Sequence, residues 1–251
     1  VTLKKYNIPV IQTVHQYKLV CPNYRLYNMR TSQICEKCVN SHCLHPVFER
    51  CHMDSALAGV MIGLESQIHR WMKIYTKHID LFHVPSRFMG SKLTEGGIPE
   101  EKIQHLFYTL DFEQFKPHIQ HKKYFLYYGR LAREKGILTL LKAVRKLNKP
   151  DIAFYIVGDG PEMTVLKKYV EDNGLNQVYL TGYKGGDALK EMIDHCMAVV
   201  VPSEWYDNSP LVIYEALTKG KPVIVSQMGG MPELVQEGIN GYTFSCGDVD
   251  G

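Results

Sequence analysis

The chain contains no uninterrupted run of about eighteen apolar residues, so no segment is predicted to cross a membrane as a helix. It also lacks a strong charge of either sign. Its 29 Lys and Arg against 26 Asp and Glu leave a formal net charge of +3, too small to point to nucleic acid as a partner. There is no internal repeat and no low-complexity tract. A secretory leader is missing as well, which carries little weight because the chain opens in mid-element. "VTLKKYNIPVIQT" reads as the end of a helix running into a buried strand, and "GYTFSCGDVDG" stops just after another strand. Both ends are therefore expected to belong to a longer protein.

What is present is ordinary for a soluble globular protein of one large or two smaller domains: 251 residues, 45% hydrophobic and 22% charged. The seven cysteines are unevenly spread. Cys196 and Cys246 stand alone in apolar company, as buried free thiols do. The other five fall between Cys21 and Cys51. A chain of this size and pattern is expected in the cytoplasm rather than as a secreted disulfide scaffold.

Apolar, β-rich runs alternate with helical patterns, which predicts an α/β protein with parallel sheets and crossover helices. In the first half, "IPVIQTVH" reads as a strand ending at His15. A cysteine-rich stretch follows, then a helical pattern from about Ser55 to Lys77. "DLFHVPS" and "KIQHLFY" are the next strands, and "TLDFEQFKPHIQHKK" is polar enough to be a linker. In the second half, "YFLYYG", "IAFYIVG", "QVYLTG", "MAVVVPS" and "KPVIVS" each run from strand into turn, with helical patterns between them. The simplest division is two Rossmann-like domains, 1–117 and 118–251, the first lacking its opening strands and the second nearly complete. Open α/β sheets bind ligands beyond the carboxyl ends of their strands, so the informative residues should follow strands directly.

They do. The strand "YFLYYG" ends at Gly129 and is followed by Arg130, with Lys135 expected in the first turn of the next helix. A cation there opposes the helix dipole. Either both charges are simply solvated, or both face a bound polyanion such as a diphosphate. "YIVGDGPE" places Gly158 and Gly160 after a strand, with Pro161 suited to a first helical position. Met163 stands where the third glycine of a dinucleotide fingerprint belongs, so a structural turn explains this stretch about as well as a nucleotide site does. In "SEWYDNSPLVIYEALTKGKPVI", Ser209 is a candidate helix cap and Pro210 a candidate first residue. The amides from Asn208 to Leu211 would then open a helix, a natural anion site. Asp207 precedes that helix and Glu215 lies inside it. Carboxylates accept hydrogen bonds well from sugar hydroxyls, and a nucleotide sugar carries hydroxyls on both sides of its diphosphate.

"GRLAREKG", "VGDGP", "LTGY", "PSEWYDNSPLVIYEALTKGKPVI" and "GGMPELVQEGINGY" resemble, in order and spacing, the retaining glycosyltransferase family 4. "TVHQYKLVCPNYRLY" and "DLFHVPSRF" look like its acceptor-side half. The resemblance implies a GT-B architecture of two Rossmann-like domains facing a cleft. It implies transfer of a sugar from a nucleotide-diphosphate-sugar donor, of UDP or GDP type, to a glycan or lipid-linked acceptor in cell-surface polysaccharide synthesis. It also implies retention by same-face attack and no catalytic metal. Where the acceptor is lipid-linked, peripheral contact with the inner membrane face follows. By the same resemblance Arg130 and Lys135 grip the diphosphate, Asp207 contacts the transferred sugar and Glu215 the ribose. Gly129, Gly158 and Gly160 would line the nucleotide's approach beside Asn208, Ser209, Pro210 and Leu211. His15 matches the histidine near the reacting centre, and Ser86 matches a loop facing the cleft. The chain departs from the family at Asp207, where glutamate is usual, and at Gln16, where aspartate is usual. At "FYTLD" nothing matches the usual Pro-Asn.

The segment from Cys21 to Cys51 holds a Cys-x-x-Cys pair, Cys35 and Cys38, and three further thiols. Cys35, Cys38, Cys43 and Cys51 are candidate ligands of a structural zinc, which prefers four tetrahedral sulfur or nitrogen donors. A loop of partly buried thiols is the alternative. The rival to an enzyme is a non-catalytic nucleotide-binding or zinc-stapled module built on the same fold.

Overall fold

The computed structural model describes residues 2–110 and 117–250, so the middle of the expected linker lies outside the described residues. The chain divides into two compact units, Val1–Tyr108 and Thr109–Gly251.

The first unit runs α1 (Thr2–Lys5), β1 (Ile11–Thr13), β2 (Tyr27–Asn28), β3 (Gln33–Ile34), α2 (His45–Glu49), α3 (Ala56–Trp71), α4 (Ile74–His78), β4 (Leu81–Val84), α5 (Arg87–Glu95) and β5 (Ile103–His105). Its sheet is parallel with the order β1-β4-β5, pairing Ile11 with Leu81 and Phe82 with Ile103. The helical pattern expected from Ser55 to Lys77 is two helices. Ser55 caps α3 by accepting from the Ala58 amide at 3.3 Å, and Lys73 in a left-handed conformation (φ 52°) ends it before α4. The inward face of α3 is small: a Cβ on Gly59 would lie 2.4 Å from the Pro46 carbonyl oxygen, and one on Gly63 2.6 Å from that of Cys43. Glycine there lets the helix backbone meet α2 at Gly59 and the segment leading into α2 at Gly63. The large side chains Leu57, Met61, Leu64, Ile68 and Trp71 point outward instead and are exposed. Helical periodicity is thus present in α3, with its small residues on the packed side.

The second unit runs β6 (Tyr124–Tyr128), α6 (Ile137–Leu147), β7 (Ala153–Val157), α7 (Met163–Asp172), β8 (Val178–Gly182), α8 (Gly186–His195), β9 (Ala198–Val201), α9 (Leu211–Thr218), β10 (Val223–Ser226) and β11 (Gly241–Phe244). All six strands are parallel, in the order β11-β10-β9-β6-β7-β8. Successive strand residues point to opposite faces, so one strand supplies two cores. Leu126, Tyr128, Val199 and Val201 pack with Ile213 and Ala216 of α9 and Ile193 of α8. Tyr127, Ile156 and Val200 pack with Ile137, Leu141 and Val144 of α6 and Leu166 of α7. Burial on both faces explains why these strands read as continuous apolar runs.

Strand order reverses between β6 and β9: the chain runs outward from β6 to β8 on one side, then from β9 to β11 on the other. That junction is the switch point of a doubly wound sheet. The crevice beyond the carboxyl ends of β6 and β9 is where such sheets hold ligands.

Candidate functional site

The loop after β6 and the loop after β9 are packed directly on each other. Gly136 is left-handed (φ 67°), and a Cβ on it would lie 1.9 Å from the Pro202 carbonyl oxygen. The Glu204 amide donates to the Glu134 carbonyl at 2.8 Å. Lys135 therefore lies against the β9 loop, and its ammonium is 2.5 Å from Asp207 Oδ2. It sits in a 3-10 turn, Arg133–Lys135, just ahead of Gly136, rather than in the first turn of α6. Ser203 Oγ donates to the same Asp207 oxygen at 3.2 Å. The Lys135 ammonium also stands 5.3 Å from the centroid of the Trp205 ring, within cation–π range. Asp207 is buried.

A third loop fixes Asp207 from below. The Gly230 amide donates to the Asp207 carbonyl at 2.9 Å. Gly229 (φ 62°) packs so closely that a Cβ would be 2.2 Å from that same oxygen. The two glycines after β10 thus seat the Asp207 backbone.

Arg130 is exposed, and its guanidinium has no hydrogen-bond or ion-pair partner among the described residues. Its backbone is anchored, since the Tyr127 hydroxyl donates to the Arg130 carbonyl at 2.8 Å. At Gly158 and Gly160, read from sequence as either a structural turn or a ligand approach, the chain itself comes close. A Cβ on Gly158 (φ 140°) would lie 1.8 Å from the Gly129 oxygen, and one on Gly160 2.2 Å from the Leu131 oxygen. Their smallness lets the β7 loop lie under the β6 loop, where Leu131 donates to the Asp159 carbonyl at 2.9 Å.

The start of α9 differs from expectation by one residue. Pro210, with extended backbone (ψ 128°), occupies the cap position, Leu211 is the first helical residue, and no side chain caps the helix. The Ser209 hydroxyl is turned to the Tyr214 hydroxyl at 2.7 Å instead. Asn208 and Ser209 are buried beside Asp207 in sequence, while Leu211 is exposed. Inside the helix, Glu215 Oε2 accepts from the Tyr128 hydroxyl at 3.0 Å, an oxygen that also lies 3.0 Å from the Val212 carbonyl. Burial, then the Glu215 charge, pushes the Tyr128 phenol far above its ordinary value, so it stays a donor.

His15 belongs to the first unit. It lies past the end of β1, exposed, with Nδ1 2.7 Å from the Tyr108 hydroxyl. Ser86 is a buried cap of α5, accepting from the Met89 amide at 3.0 Å.

The cysteine segment does not form the expected zinc set. Cys35, Cys38, Cys43 and Cys51 are free thiols, and among the described residues no group of three or more His, Cys, Asp or Glu side chains is placed to hold a metal. Burial, followed by the neighbouring thiols, pushes Cys38 well above the ordinary range and Cys51 up to about 11. Cys43 has Arg70 and Lys18 as its charged neighbours.

Sequence reasoning missed Ser203, Trp205, Tyr128, Gly136 and the Gly229–Gly230 pair. The glycines carried a signal, since each follows a strand or its turn. Tyr128 carried none, because it looks like one more apolar strand residue.

The sequence model of the family described as Glycosyl transferases group 1 matches residues 111–251. The chain is 31% identical over 188 residues to sulfoquinovosyl transferase SQD2 of Arabidopsis thaliana, covering 68% of this chain and 36% of that protein. It is 34% identical over 119 residues to alpha-D-kanosaminyltransferase of Streptomyces kanamyceticus, covering 46% of this chain and 31% of that one. The chain thus spans about a third of the length of these relatives. Among solved structures, Anabaena HepE in complex with UDP superposes with a TM-score of 0.70 at 18% identity, covering 98% of this chain and 61% of that one. That likeness shows the fold, a mixed α/β protein with parallel sheets that is part of a GT-B.

Proposed function

The chain belongs to the glycosyl transferases group 1 family, and we propose that it carries the donor-binding half of an enzyme that transfers a sugar from a nucleoside-diphosphate sugar. One observation carries this reading. At the sheet's switch point, two loops and a helix start bring together a lysine, a buried aspartate and uncapped helix amides, with an arginine on the same loop as the lysine. Cations and helix amides stabilise a departing diphosphate. Glu215, steadied by Tyr128, is suited to accept from ribose hydroxyls, and Asp207 from hydroxyls of the transferred sugar.

The described site offers charge stabilisation and orientation for a departing diphosphate. Retention by same-face attack, with the leaving phosphate taking the acceptor's proton, is the stereochemistry that the motif resemblance implies. HepE was solved with UDP and with UDP-glucose, so a uridine nucleotide is the first donor class to test. A glycan or lipid-linked acceptor of cell-surface polysaccharide synthesis completes the reading. The test is calorimetric titration with uridine, guanosine and adenosine diphosphates, followed by turnover assays with the sugar donors of whichever binds. Absence of binding for all three removes the proposal.

A further inference from the structure

The Lys135 ammonium, read above as a cation for a diphosphate, already has an anionic partner in this structure, Asp207. The ammonium and Asp207 Oδ2 are 2.5 Å apart, and the two side chains retain only 24% and 12% of their exposure. The partners differ in freedom. Asp207 is held through its backbone by Gly229 and Gly230 and through Oδ2 by Ser203. Lys135 ends a four-carbon stem, and besides this pair its ammonium has the Trp205 ring at 5.3 Å. When the pair opens, the lysine is the member that can move.

We propose that Asp207 is an internal counter-anion for Lys135, occupying the ammonium until a nucleoside diphosphate replaces it. This rests on the proposed donor reading and deepens it. A diphosphate entering beside Lys135 has to displace a carboxylate already seated there. On displacement, Asp207 Oδ2 keeps its hydrogen bond from Ser203 and exchanges its ammonium partner for whatever donor comes next, a hydroxyl of the sugar attached to that diphosphate. The phosphate end therefore engages first, and its arrival releases the acceptor for the sugar end. Asp207 in this role is a positioning residue for Lys135.

The sign of the effect separates this from a plain sugar contact. A residue that touches only the sugar leaves binding of the bare diphosphate unchanged when removed, and a residue that merely supports the loop weakens it. A counter-anion, once removed, leaves Lys135 free and tightens it. The experiment is calorimetric titration of uridine diphosphate into the parent chain, Asp207→Asn, Lys135→Ala and the double variant. Breaking a partly exposed ion pair is worth up to about 1 kcal/mol, so Asp207→Asn should bind about fivefold tighter. Lys135→Ala should bind more weakly than the parent, and adding Asp207→Asn to it should give no further gain. Asp207→Ser reads the same sign if the asparagine variant does not fold.

Equal or weaker binding by the Asp207 variants overturns the inference. So does an equal gain in the Lys135→Ala background, which would mark general charge repulsion rather than a pair. Failure of the parent itself to bind any nucleoside diphosphate overturns the donor reading, and this inference with it.

Discussion

The Tyr128 hydroxyl, at the last residue of β6, lies 3.0 Å from Glu215 Oε2 on α9, although the two residues are 87 positions apart. Tyr128 is buried and remains protonated, so the carboxylate is aimed by a fixed phenol rather than by solvent. Hydrogen bonds to charged groups contribute about 1.5–3 kcal/mol. Tyr128→Phe keeps the ring and removes the donor. It should weaken uridine diphosphate binding in calorimetry while far-UV circular dichroism stays the same, and Glu215→Gln should weaken it further. Unaltered binding in both variants removes Glu215 from the site.

Arg130→Ala separates ligand binding from folding. The guanidinium is exposed and has no partner among the described residues, so its loss should change unfolding free energy by less than about 0.5 kcal/mol. Diphosphate affinity should nonetheless fall. A variant that binds as tightly as the parent leaves Arg130 a solvated charge.

Gly158→Ala and Gly174→Ala test why the loops after β6 and β7 can share space. Both glycines have positive φ, 140° and 58°. A methyl group on Gly174 meets nothing within 4 Å, whereas one on Gly158 would lie 1.8 Å from the Gly129 oxygen. Gly174→Ala should therefore cost about 1 kcal/mol for its backbone conformation alone. Gly158→Ala should cost about 2–4 kcal/mol, since the β6 loop has to move away. Urea unfolding of the two variants checks the order, and equal costs would contradict the packing described.

Alkaline titration reads the cysteine segment. Cys51 rises from its ordinary 9.0 to about 11, chiefly through burial and then through Cys21 and Cys35. The folded state thus holds the thiol proton more tightly than the unfolded state. That contribution is complete below pH 9 and is lost as pH climbs through 11. Melting temperature should fall across this window in the parent, and more shallowly in Cys51→Ala. An identical pH profile in the variant would place the alkaline loss elsewhere.

Local pattern alone determined a good deal. Val199, Val200 and Val201 sit in a run that is apolar throughout because successive side chains enter different cores, so a buried parallel strand was legible without its neighbours. The turns after the strands, the helices between them and the run of motifs from "GRLAREKG" to "GGMPELVQEGINGY" were legible for the same reason, since each is a short-range pattern. What depended on a partner elsewhere in the fold was not legible. Gly158 and Gly160 read equally as a turn or as ligand-facing glycines, and it took the fold to show that they admit the Gly129 and Leu131 oxygens of a neighbouring strand's loop. Ser209 looked like a helix cap, yet its hydroxyl turns to Tyr214. The thiol spacing looked like a metal set, yet spacing along a chain does not fix where side chains converge. Only the tertiary structure decided that β6 and β9 are neighbours, because strand order follows from how crossover helices cover the two sheet faces and leaves no mark on any single strand. That adjacency brings Lys135 to Asp207 across 72 residues and makes the two charges one unit.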